Sequence, residues 1–307
     1  MHHEDDTRPT KRATTIPKKR LLTMVHKPAR RTIGDMAEIR QAILDAVATD
    51  SPTTCRSIFY RLVSAGAIPK TEAAYKGTVI RLLTSMRRSG ELDWNAITDG
   101  SRLVHRARSH RSLDDALEQT RLTYRRALWR DQPVYVEVWS EKDAMRGVIW
   151  DVTSEWDVPL YVCKGYPSQT YLHNAAMHLR AQRKPAFIYY LGDHDPSGVD
   201  IPRHVERLLR EYAPGVDLTF VRLAVTRAQI VELELQTRPT KATDSRSRSF
   251  EGESVEVDAI PPNVTRTIVR GAIEQHVDDD ELAATLAVEA AERETLDRVI
   301  SQWRTAS

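Results

Sequence analysis

The chain has 307 residues, 41% hydrophobic and 29% charged, with a net charge of +2, enough for an ordinary core and long enough for two domains. No run approaches 18 apolar residues, and the leading MHHEDDTRPTKR lacks the apolar stretch of a signal peptide. A helical membrane protein is therefore disfavoured and a cytoplasmic location expected. Cys55 and Cys163 are the only cysteines, too few for a disulfide framework or a zinc cluster, and both are expected reduced, with Cys163 buried.

The small net charge hides an asymmetry. Residues 1–130 hold 25 Lys and Arg against 14 Asp and Glu, whereas residues 131–307 carry a net −9. A basic half joined to an acidic half suggests a polyanion-gripping part and a part rich in metal-binding carboxylates, with DNA or RNA as the natural polyanion. Much of the excess sits in residues 1–32, a Pro- and Thr-rich basic segment that reads as a disordered tail.

In chain order, Met36, Ile39, Ile43, Leu44 and Val47 give a first amphipathic helix over 34–48. Ser51, Thr53 and Thr54 are N-cap candidates for a second, with Ile58, Phe59, Leu62 and Val63 as its apolar face and Gly66 as its stop. A third runs from Glu72 to about Ser89, with Val79, Leu82, Leu83 and Met86 inward. Two short extended stretches about Asp99-Gly100 form a hairpin signal. Helices plus hairpin predict a CAP-like winged-helix domain over 33–110 that binds double-stranded DNA. Its third helix would enter the major groove, with Lys76, Arg81, Arg87 and Arg88 available to face the nucleic acid.

Residues 111–130 read as a linking helix. Strands at 134–139, 159–163, 186–192 and 217–225 then alternate with helices at 142–156, 168–182 and from Asp200 to near Tyr212, the pattern of a parallel α/β sheet. A Ser-rich basic loop over 237–250 and two C-terminal helices at 263–276 and 279–304 complete a second domain spanning 131–307. The loop could contact DNA or a partner, or be disordered.

The chemistry lies at the strand ends. Glu141 closes the first strand region, and Asp193 and Asp195 close AFIYYLGDHDPSG. Residues two apart on a strand share a face, so the two aspartates can share one ion while Pro196 ends the strand and Gly198 permits a tight turn. Three carboxylates at the carboxyl edge of a parallel sheet would repel one another unless a hard cation sits between them, and Mg2+ suits such a cage. The bland reading of the aspartate pair is an Asx turn capping a helix. Glu137 is a rival glutamate, but its mid-strand position suits a polar neighbour.

These residues resemble the Toprim domain, and within it the topoisomerase VI A subunit and its relatives, the meiotic double-strand-break proteins. Glu141-Lys142 is similar to the family's strand-end Glu-Lys, Lys164-Gly165-Tyr166-Pro167 to its K-G-x-P, and Asp193-His194-Asp195-Pro196-Ser197-Gly198 to its D-x-D-P-x-G. Arg56-Ser57-Ile58-Phe59-Tyr60 resembles its R-x-x-Y-Y segment, with Phe59 in place of the first tyrosine. The resemblance spans roughly residues 35–225 and implies that Tyr60 attacks a DNA phosphodiester, with Arg56 assisting and Mg2+ held by Glu141, Asp193 and Asp195. It further implies a homodimer in which tyrosine and metal site come from different protomers, and a nucleoid-associated location. Lys164 could contact a phosphate near the metal. No Walker A pattern is present, so strand passage would need a separate B-type ATPase subunit. Tyr75, Tyr124 and Tyr166 are lesser nucleophile candidates, and His173 and His178 read as surface residues. Two other functions stay open: a Toprim nuclease using water, and a winged-helix DNA binder without catalysis.

Overall fold

The structure, a computed structural model, describes residues 33–97, 107, 109–239, 250 and 252–306. The basic tail over 1–32, the Asp99-Gly100 turn and most of the Ser-rich loop lie outside the described residues.

The amino-terminal unit is built on α1 (Ile33–Asp50) and α2 (Cys55–Ser64), followed by one helical run. That run comprises α3 (Glu72–Ala74), a π-helical stretch (Tyr75–Ile80) and α4 (Arg81–Arg88). The Thr54 side chain accepts the Ser57 N–H at the start of α2, as a threonine N-cap should, and Gly66 and Gly90 take positive φ just after α2 and α4. The apolar periodicity forms a core from Ile39, Ile43, Ile58, Leu62, Val79, Leu83 and Met86. The expected single third helix is thus interrupted by a wider turn. The first arm of the expected hairpin is instead a 3-10 turn (Trp94–Ala96), with Ile97 bridging in parallel to Thr53. Asp93 explains this, since its carboxylate caps the turn by accepting the Asn95 N–H.

The linking helix expected over 111–130 is shorter in the structure. It is α5 (Leu113–Thr123), and Tyr124 turns extended at φ −60°, ψ 125°. Beyond it, Leu128 and Trp129 are drawn into the main core, and the Trp129 indole donates to the Trp156 carbonyl at 2.7 Å.

The second unit is an α/β layer structure with a four-stranded, wholly parallel sheet in the order β2-β1-β3-β4. The strands are β1 (Tyr135–Ser140), β2 (Leu160–Val162), β3 (Ala186–Leu191) and β4 (Leu218–Ala224). Crossovers run through α6 (Asp143–Glu155), α7 (Gln169–Gln182) and α8 (Pro196–Tyr212), and α9 (Arg227–Glu232), α10 (Pro262–Glu274) and α11 (Asp279–Ala306) follow. Helices α7 and α8 pack together, as do α6 and α10, while α11 lies along α5. Trp139 meets Tyr171 of α7 on one face of the sheet, whereas Phe187 and Tyr189 meet His276 at the end of α10 on the other. No described helix is long and apolar enough to cross a membrane. Cys163 is buried, as expected, and no disulfide joins the two cysteines.

Glu137 is fully buried in the α7-facing layer of β1, where Trp139 Nε1 donates to its carboxyl at 2.8 Å and the phenols of Tyr135 and Tyr161 lie beside it. Burial pushes its carboxyl up to about 8. The folded chain therefore keeps a proton that the unfolded chain has already released near pH 4.5. Stability should fall as pH rises between those two values, by up to about 1.4 kcal/mol per pH unit. Glu137→Gln should flatten this slope in urea unfolding measured from pH 5 to about 8. An unaltered slope would rule the account out.

Candidate functional site at the carboxyl edge of the sheet

Strands β1 and β3 are neighbours in parallel register, Ser140 opposite Leu191, so the segments that leave them emerge side by side. Glu141 turns inward, and its Oε2 accepts the Asp193 N–H at 3.1 Å. A Cβ on Gly192 would lie 2.5 Å from that oxygen, so only glycine leaves room for the carboxylate. Asp193 and Asp195 both lie beyond the last strand residue, Leu191, so strand alternation, contrary to expectation, does not orient them. Asp195 is instead the N-cap of α8, with Pro196 in the first turn and its Oδ1 accepting the Gly198 N–H at 2.7 Å. The helix accordingly begins at Pro196 rather than Asp200, with Pro202 inside it. Gly198 serves a close approach, since a Cβ there would meet the Asp193 carbonyl oxygen at 2.1 Å.

Arg222 on β4 fixes this loop from beneath. Its guanidinium donates to the carbonyls of Gly192, Asp193, Gly198 and Val225. The His194 ring packs against Phe250, while its backbone pairs in antiparallel fashion with Val255. That pairing brings in two acids the sequence reading had overlooked. Val257 N–H donates to Asp193 Oδ1 at 2.9 Å, and the flanking Glu256 and Asp258 reach Lys142. The Lys142 ammonium lies 2.9 Å from Asp193, 2.9 Å from Asp258 and 3.3 Å from Glu256. Arg238 completes the arrangement, 2.9 Å from Glu256 and 3.9 Å from Asp195. A faint signal existed in the Glu-Val-Asp alternation at 256–258, but nothing local ties it to a lysine more than a hundred residues earlier.

Burial, reinforced by the charge of Asp193, pushes the Glu141 carboxyl up to about 7. Burial also raises Asp193, against the pull of Lys142. For Lys142 itself burial works to lower the pKa, but the carboxylates of Asp258, Asp193 and Glu256 outweigh it and hold the ammonium charged. His194 is lowered, by burial first and then by Arg222 and Arg227. Mutual repulsion among Glu141, Asp193 and Asp195 is what a hard divalent cation would relieve, and the donor set is all oxygen, so these residues fit Mg2+ chemically. As they stand, the described His, Cys, Asp and Glu side chains form no group of three arranged to hold a metal. Lys142 supplies part of the countercharge.

Tyr60 lies on α2 with 4% of its surface exposed, the edge of Phe59 against its ring and the Lys70 ammonium 5.2 Å from the ring centre. Burial and then Glu256 raise its phenol well above the ordinary value, while Lys142, Arg238 and Arg56 pull the other way. It lines a cleft of about 390 Å³ together with Arg56, Lys70, Arg238 and Glu256. Arg56 stacks over Tyr75 at 4.1 Å and pairs with Glu72 at 3.4 Å and Glu256 at 4.0 Å. Tyr124 bonds to Glu292 and Tyr166 to Asp200.

The expected DNA-facing residues divide. Arg81 and Arg88 are exposed, and Lys76 is exposed beside Glu72 at 3.5 Å. Arg87 is engaged internally, donating to the Ile97 carbonyl at 3.0 Å with its guanidinium over Trp94. Lys164 is exposed and paired with Asp143 at 3.0 Å. His173 packs against Tyr212, and His178 bonds to the Tyr135 hydroxyl.

No protein-family model matches the chain, and no curated protein matches it.

Two substitutions test this geometry. Lys142→Met should cost about 3 kcal/mol of unfolding free energy, because it leaves three carboxylates sharing too little positive charge. Gly198→Ala lies inside a helix, where alanine ordinarily stabilises by about 1 kcal/mol, yet here the approach of the Asp193 carbonyl should reverse the sign. Urea titration reads both, and a stabilised Gly198→Ala would contradict the contact.

Proposed function

We propose that this protein cleaves DNA phosphodiester bonds with magnesium held by Glu141, Asp193 and Asp195, in the manner of a Toprim domain paired with a DNA-binding winged helix. The observation that carries the reading is Glu141 seated on the Asp193 backbone N–H, at the carboxyl edge where two neighbouring parallel strands end. It joins residues 52 positions apart in the sequence, brought together by the pairing of β1 with β3.

Tyr60 is the nucleophile of this reading. Its oxygen forms a bond to phosphorus, the bond to the 3′ oxygen breaks, and the products are a 5′-phosphotyrosyl protein and a free 3′ hydroxyl, the phenolic proton passing to solvent or a nearby base and the departing 3′ oxygen taking one up from solvent. The Tyr60 phenol shares its cleft with Arg56 and Arg238, whose charges favour the phenolate and would also hold the phosphate. Magnesium, when bound, supplies positive charge to the phosphate oxygens and to the departing 3′ oxygen. The resemblance to the topoisomerase VI A subunit supports a homodimer, nucleoid association and a separate ATPase subunit for any strand passage. Arg81 and Arg88, exposed on α4, are the residues best placed to meet duplex DNA.

One observation favours a second reading, hydrolysis by water. Tyr60 is buried and its ionisation is opposed by burial and by Glu256, so attack through it requires the cleft to open.

Plasmid incubated with the protein and magnesium, then quenched in detergent, distinguishes the two. A protein–DNA adduct absent from both Tyr60→Phe and Asp193→Ala supports the tyrosine, and cutting that survives only in Tyr60→Phe assigns the nucleophile to water. No cutting under any condition with a folded protein ends the proposal. Magnesium should also raise the melting temperature of the wild type, by an amount that grows with its concentration, and Glu141→Gln should reduce that rise.

A further inference from the structure

We propose that Arg56, Lys70 and Arg238 form a phosphate-binding cleft that seats the backbone of one DNA strand beside Tyr60. The inference rests on the DNA-cleaving reading for the identity of its polyanion, and on the structure for its location. The three cations come from three separate stretches of chain, yet all line the same open cleft of about 390 Å³ as the tyrosine. They are held there by different means. Lys70 Nζ donates to the carbonyls of Gln236 at 2.8 Å and Thr237 at 2.7 Å, which ties it to the strand-like segment carrying Arg238. Arg238 is fixed by its backbone pairing with Ser254 and by Glu256. Arg56 rests on the Tyr75 ring.

Among the described residues that line the cleft, three cations face two acids: Glu256 is shared by Lys142, Arg238 and Arg56, and Glu72 is more than half exposed, while Glu253 attracts Lys70 from just outside the lining. Lys70 has carbonyls rather than a carboxylate as its hydrogen-bond acceptors, and its pKa is lowered by burial and then by repulsion from Arg238, against the pull of Glu256 and Glu253. An anion seated between Lys70 and Arg238 would remove that repulsion. A phosphodiester fits, because its two unesterified oxygens accept from an ammonium and a guanidinium at once. The cleft also adjoins the carboxylate cluster through Glu256, so a backbone seated there would run past Tyr60 toward Asp193 and Asp195.

The test is fluorescence anisotropy with a short labelled duplex in EDTA, between about 50 and 200 mM salt, on full-length protein whose folding is checked by thermal melting. Lys70→Gln and Arg238→Gln should each reduce the slope of log affinity against log salt by about 0.9 and weaken binding at least about threefold. Arg238→Lys should restore most of the slope. Arg207→Gln, an exposed charge on α8 paired with Glu211, should leave it unchanged. Slopes unaltered in Lys70→Gln and Arg238→Gln would overturn the cleft while leaving DNA cutting intact. Slopes that drop as described would support it even if magnesium produced no cutting, because the measurement contains no metal.

Discussion

The ammonium of Lys142 is the constraint around which the site is built. Asp193 and Asp258 are nearly buried, and Glu256 is largely covered. Carboxylates withdrawn from water persist as ions only where positive charge meets them. One lysine at the end of β1 meets all three, and in doing so joins the loop after β3 to the segment just before α10. The parallel sheet supplies the platform, but this ion cluster decides which loops converge above it.

The same cluster couples the two halves of the chain. Thr54, which caps α2, also lies 3.5 Å from Asp258, and Arg56 two residues further on reaches Glu256. Lys70 binds carbonyls near Arg238, and Arg266 of α10 donates to the carbonyls of Pro52 and Val148. The amino-terminal helices are thus fastened to the sheet edge by hydrogen bonds and charges as well as by apolar packing. A helix carrying a tyrosine is thereby held beside Glu256 and Lys142 of its own chain, whereas the resemblance implied a tyrosine and a metal site drawn from different protomers.

Much of the sheet was legible because its signals are local. Runs such as YVEVWS and AFIYYL are apolar and aromatic, and their ends fall within one residue of those the pattern predicts. Glu137 was set aside as a residue with a polar neighbour, and the indole of Trp139 is one such neighbour. The aspartate pair was read with the wrong geometry. The strand stops at Leu191, and the Asx cap weighed against the metal reading is present at Asp195 alongside its closeness to Arg238. Glu256 and Asp258 escaped because their partners are distant in sequence, and the shortening of the linking helix because Trp129 answers to the sheet core rather than to helical periodicity.

Arg222 lies on β4, two strands away from the glutamate it helps to position. A guanidinium remains protonated across the whole physiological range, and here its hydrogens are spent on carbonyl oxygens rather than on an acid that could titrate. The floor beneath Asp193 is therefore permanently electropositive, whatever happens to the ionisation of the acids above it. The backbone that displays the two aspartates is thus tied by bonds that do not depend on an acid's charge.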